Sequence, residues 1–184
     1  ATTTPNFDIS PYSNLALDSV GCTVPNGKIV SFHSPIELHI YDESNSHTGP
    51  NSDGDIENEI PGVIYETIRD NKFAFLPDGV EYEIRGNATD AGSFDVRIQE
   101  LVNGEVATTT LFAQLSLTTT TQAQFSVGST IPTYVGLDHD NDGTFEISQD
   151  ATVVTSGVLE STGHPAVIVQ EVSESSSRPG DSNR

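Results

Sequence analysis

The sequence predicts an all-β protein, a two-sheet antiparallel sandwich of the immunoglobulin or jelly-roll kind. A hairpin closed by an acidic loop and extended strands at both ends complete the expected outline. Three observations predict it. Apolar residues alternate with polar ones in run after run, no window of helical length keeps an unbroken i, i+3, i+4, i+7 apolar pattern, and glycine-bearing turn signals fall between the runs.

In chain order, residues 1–20 are polar with the apolar anchors Phe7, Ile9, Leu15, Leu17 and Val20, and read as an extension holding one or two edge strands. Residues 21–150 read as the sandwich. Ile36, Leu38 and Ile40 alternate with Glu37, His39 and Tyr41, which places His39 and Tyr41 on a wet face. Residues 42–59 read as a long polar loop. Val80, Tyr82 and Ile84 form the next apolar row, followed by Phe94, Val96 and Ile98, then Leu111, Ala113, Leu115 and Leu117, then Ala123, Phe125 and Val127. Turn signals stand at Asn26-Gly27, Pro77-Asp78-Gly79, Asp90-Ala91-Gly92 and Asn103-Gly104. The last of these predicts a tight primed turn between Phe94–Leu101 and Val106–Leu117, because Asn-Gly accepts positive φ at both positions. Residues 151–184 hold two β-like runs, Thr152–Leu159 and Pro165–Val172, and end in a serine-rich tail. An isolated strand is not stable, so the terminal runs must either complete sheets of their own chain or pair with another copy by strand addition.

Composition narrows the function. Among 184 residues there are 7 Lys+Arg against 27 Asp+Glu, a formal net charge of -20, which disfavours nucleic acid and anionic membrane surfaces as partners. No apolar stretch approaches the roughly 18 residues of a membrane span. The single cysteine, Cys22, rules out an intrachain disulfide and a multi-cysteine zinc site, and reads as a buried inert thiol. The chain starts Ala1-Thr2-Thr3-Thr4 without a basic, apolar leader, so any signal peptide is expected to have been removed already. The acidic, Thr/Ser-rich character suits a secreted or cell-surface microbial protein.

The sharpest motif is Asp138-His139-Asp140-Asn141-Asp142-Gly143-Thr144-Phe145-Glu146. Carboxylates at the first, third and fifth positions with glycine at the sixth resemble an EF-hand calcium loop. A hard cation needs six to eight oxygens, and alternate residues of a coiled loop turn their carboxylates inward. Asp138, Asp140, Asp142, the Thr144 backbone carbonyl and Glu146 are the expected Ca2+ ligands, with His139 a spacer. The twelfth position holds Gln149 rather than an acid, with Asp150 one residue later, and the flanks Tyr134–Leu137 and Phe145–Ile147 read as strands. The loop thereby resembles those of β-rich extracellular proteins, such as integrin-type propeller repeats and thrombospondin type 3 repeats. The plain alternative is an acidic turn, in which three carboxylates within five residues repel one another uncompensated.

Other features read more plainly. Asn51, Asp53, Asp55 and Glu57 around Gly54 suggest a second ion site but are better taken as a solvated loop. His33, His39, His47, His139 and His164 show no zinc-protease spacing and need no function as surface residues. No serine lies in Gly-x-Ser-x-Gly, no glycine-rich phosphate cradle is present, and the many acids single out no glycosidase pair, so no enzyme is expected. With no Trp, Tyr41 is the best exposed aromatic platform for a glycan, and Asn87-Ala88-Thr89 is a glycosylation sequon of low specificity.

The segments His33–Asp42, His47-Thr48-Gly49, Glu59-Ile60-Pro61-Gly62 and Gly92–Val96, followed by the acidic loop, are similar to small β-sandwich modules near the C-termini of large secreted or surface-anchored bacterial and archaeal proteins. These broadly resemble pre-peptidase C-terminal domains, and the likeness spans about residues 28–147. It implies a non-catalytic extracellular module and carries over no catalytic residue. The expectation is therefore a secreted, non-enzymatic structural protein, stiffened by calcium and assembled with copies of itself through its terminal strands. The alternative is an accessory glycan-binding or adhesion module of a larger secreted hydrolase or surface protein.

Overall fold

The computed structural model describes residues 25–157. Residues 1–24 and 158–184 lie outside the described part, and with them the N-terminal extension, Cys22, His164 and the run Pro165–Val172. The strands are β1 Gly27–His33, β2 Ile36–Asp42, β3 His47–Pro50, β4 Ile56–Asn58, β5 Ile64–Ile68, β6 Asn71–Pro77 and β7 Tyr82–Ala88, then β8 Gly92–Val102, β9 Glu105–Leu117, β10 Gln122–Val127, β11 Tyr134–Asp138, β12 Ile147–Asp150 and β13 Val153–Ser156. Among the described residues there is no helix.

The strands form two antiparallel sheets, one ordered β13-β9-β8-β1-β6-β5 and the other β12-β11-β10-β7-β2-β3-β4. Their inner faces close over one core. Val30, Phe32, Val96, Ile98 and Phe112 come from the first sheet, and Ile36, Leu38, Ile40, Ile84, Phe125 and Leu137 from the second. Phe32 joins the layers, its ring centroid 5.8 Å from that of Phe94 in its own sheet and 6.1 Å from that of Phe125 opposite. Gly86 makes room for it. A Cβ at that position would lie 2.5 Å from Ile36 Cδ1 and 2.7 Å from a Phe32 ring carbon.

The longest hairpin, β8–β9, turns at Asn103 and Gly104, whose φ angles of 54° and 82° are those the sequence requires of a primed turn. Farther along, the expected parity of β9 fails. Phe94 pairs with Leu115 but Val96 pairs with Phe112, so β9 carries an extra residue there, with Gln114 at φ 56°. This β-bulge shifts the inward row from Leu111 and Ala113 to Phe112, which is fully buried. Val80, expected at the start of an inward row, is 40% exposed in the turn before β7.

The polar stretch 42–59 is not one loop. β3 pairs with β2 through Ile40↔Thr48 and Tyr41↔His47, and β4 pairs with β3, so the stretch folds into a ribbon on the sheet edge. This covers His39, which is 8% exposed rather than a wet-face residue, and brings His47 out of the loop class. At the other end, β13 returns to the first sheet and pairs with β9 of the same chain, from Val153↔Leu111 to Ser156↔Thr108.

Candidate metal centre

The acidic motif closes the hairpin between β11 and β12, paired from Leu137↔Ile147 to Tyr134↔Asp150. Strands therefore flank it, as expected, although the second begins at Ile147 rather than at Phe145. The strands fix Asp138 at the mouth of the loop, and Asn141 at φ 60° with Gly143 at φ 88° coil the chain back on itself. No side chain meets strain at Gly143, where the left-handed conformation favours glycine.

One ligand atom from each of Asp138, Asp140, Asp142 and Glu146 falls within 4.8 Å of all the others, a spacing that could hold a metal ion. Asp138 is completely buried. Its Oδ1 accepts the Asn141 N–H at 2.6 Å and its Oδ2 accepts the Gly143 N–H at 2.9 Å. Asp142 Oδ1 accepts the Thr144 N–H at 2.7 Å, and Glu146 Oε2 accepts the His139 N–H at 3.2 Å. Backbone amides thus aim three of the carboxylates before any cation arrives, and each oxygen keeps a lone pair for one. Repulsion is the other half of the electrostatics. The Asp142 charge, then loss of hydration, then Glu146 hold the Asp140 carboxyl above the ordinary carboxylate range.

The structure thus brings together the four expected acids. Thr144 lies on the same loop, engaged through its N–H with Asp142. Gln149 and Asp150 sit on β12 opposite Val135 and Tyr134, away from the loop tip. His139, the expected spacer, is tethered to the turn before β10. Its carbonyl accepts hydroxyl hydrogen bonds from Thr118 at 2.6 Å and Thr120 at 2.7 Å, and its Nδ1 lies 2.8 Å from Thr121 Oγ1. The sequence reading missed these threonines. Their signal was the unbroken run Thr118–Thr121, too polar for a strand and directly after an apolar row.

Phe145 projects between Thr144 and Glu146 and covers Gly136 on β11, where a Cβ would stand 3.2 Å from its ring. Tyr41, the expected glycan platform, is flanked from both neighbouring strands. The His47 ring stacks on it at 4.9 Å, and the Arg85 guanidinium lies 4.6 Å from its centroid. The amide nitrogen of Asn87, the sequon residue, is 3.1 Å from His39 Nε2. In the second acidic stretch, Asn51 Oδ1 accepts the N–H groups of Asp53 and Asp55 at 3.0 Å each, a self-contained turn. No helix among the described residues is long and apolar enough to cross a membrane.

Comparison with protein-family models, curated proteins and solved structures gave no match.

Proposed function

We propose that the protein is a secreted, non-enzymatic structural module whose acidic loop binds calcium and whose sheet edges join it to copies of itself in an extracellular or cell-surface assembly. The observation that carries this reading is the position of the acidic loop. It closes a hairpin whose outer strand, β12, is the edge of its sheet among the described residues and is exposed at every residue. A cation held by Asp138, Asp140, Asp142, Glu146 and the Thr144 carbonyl would stiffen that edge. Calcium fits the donor set, which is all oxygen. Among the described residues the opposite sheet likewise ends at β5, where Ile64 is 58% exposed and Ile68 42%. Unprotected edges of this kind pair with further strands.

Sedimentation velocity and negative-stain microscopy of the full chain, with calcium and with chelator, test this reading. Calcium-dependent oligomers or filaments that are lost in Ile147→Lys or Ile64→Lys, with circular dichroism unchanged, are the expected result. A monomer under all conditions contradicts it. A second reading, glycan binding, is favoured by exposed Tyr134 and Phe145, which border a cleft of about 640 Å³ with Gln124 and Ser126 on its wall. Glycan-array binding abolished by Tyr134→Ala would replace assembly with that role.

A further inference from the structure

Outside the metal loop, the outer face of the second sheet carries a line of hydrogen bonds that crosses four strands. Glu57 on β4 lies 2.8 Å from His47 Nδ1, His47 Nε2 lies 3.1 Å from His39 Nδ1, and His39 Nε2 lies 3.1 Å from the Asn87 amide nitrogen on β7. The two imidazoles stack at 5.3 Å. The donors and acceptors sort in only one way for neutral rings. An ionised Glu57 only accepts, so His47 carries its proton on Nδ1. Its bare Nε2 then accepts from His39 Nδ1–H, and the bare Nε2 of His39 accepts from Asn87. Each of the four ring nitrogens is used once in the line.

The backbone seam beneath it is short. β3 is held to β2 through only the pairs Ile40↔Thr48 and Tyr41↔His47, with the Asp42 N–H donating to the Ser46 carbonyl at 3.2 Å. We propose that the His39–His47 pair is an acid-sensitive latch that holds the β3–β4 ribbon on the edge of the sheet and releases it when the pair must take up more than one proton. One proton can be absorbed if His39 changes tautomer and the Asn87 amide turns over. A second would place two cations 3.1 Å apart.

The carboxylates around the pair offset only part of this repulsion, and burial opposes charge on His39 as well. Glu37 and Tyr41 on β2, Glu57 on β4 with Glu59 beyond it, and Glu83 with Arg85 on β7 are the charged or titratable groups that face the pair. Glu37 Oε2 is 3.7 Å from His39 Nε2, and Glu59 Oε2 accepts the His47 N–H at 3.0 Å, but Glu83 is paired with Arg85. Burial, then the His47 charge, hold His39 below the usual histidine value of 6.5. Glu57 is held below the usual 4.5, chiefly by its hydrogen bond to His47. The open, solvated state therefore binds more protons than the closed one, and closure loses stability as pH falls below 6.5, with the Glu57 contribution lost only below 4.5.

Nuclear magnetic resonance of the full chain tests the latch in two steps. At neutral pH, long-range nitrogen correlations should place the proton of both His39 and His47 on Nδ1, the minor tautomer in water. Hydrogen exchange at the Asp42 amide, corrected for its intrinsic rate, should then accelerate by up to about tenfold per pH unit between pH 6.5 and 5.5, while β8–β9 amides stay protected. His47→Gln should abolish the acceleration. Either ring found protonated on Nε2, or Asp42 exchange indifferent to pH, overturns the proposal, and the tautomer measurement stands even if the variant does not fold.

Discussion

His139 Nδ1 and Thr121 Oγ1 lie 2.8 Å apart, so the one non-acidic, non-amide spacer of the Asp138–Asp142 segment ties the acidic loop to the turn between β9 and β10. Thr121 is 1% exposed and also accepts the Thr118 N–H at 2.8 Å. The contact therefore passes rigidity from the threonine turn to the acidic loop.

Replacing that hydroxyl isolates the effect. Thr121→Val keeps the shape and takes the Thr121 hydroxyl away from the Thr118 amide and from His139 Nδ1. Stability should fall by about 1–3 kcal/mol, read from urea midpoints at constant m value, and calcium affinity should fall with it. Unchanged affinity would mean that the threonine turn does not order the loop.

The core makes a separate demand at Gly86. Gly86→Ala forces a methyl to within 2.5 Å of Ile36 and 2.7 Å of Phe32, the residue that bridges the sheets. The cost should be about 1–3 kcal/mol, a melting temperature lower by roughly 3–10 °C. Phe32→Leu in the same background should recover part of it, and no recovery would place the strain elsewhere.

Asp140 sets the sign of a pH effect. Its folded carboxyl is held above the usual 3.8, so without a cation the folded state binds the proton more tightly than the unfolded one. Its contribution to stability is then lost as pH rises through that window. In chelator, Asp140→Asn should therefore gain on the native protein as pH climbs above 3.8. Saturating calcium should reverse the order at the upper end. Parallel curves in chelator would remove repulsion as a property of the loop.

Much of this was legible in the residues. Period-two alternation located β2, β8 and β10, Asn103-Gly104 specified its turn, and the carboxylate spacing located all four acids of the cluster. What escaped has physical causes. A bulge inverts parity without changing composition, so Phe112 took the place of Leu111 and Ala113 in the core. β3 and β4 are short and polar, and their pairing is visible only once β2 offers an edge. That pairing buries His39, which a strand read alone leaves in water.

The proposed cation among Asp138, Asp140, Asp142 and Glu146 has one direct test. Thermal unfolding of the full chain in chelator and in millimolar calcium, beside Asp140→Asn, measures it most directly. At calcium about 100-fold above its dissociation constant, mass action on the folded state adds about 2.7 kcal/mol. The native protein should melt on the order of 5–10 °C higher with calcium, and Asp140→Asn should lose most of that shift. Coincident melting curves in the two conditions, or an equal shift in the variant, would contradict it.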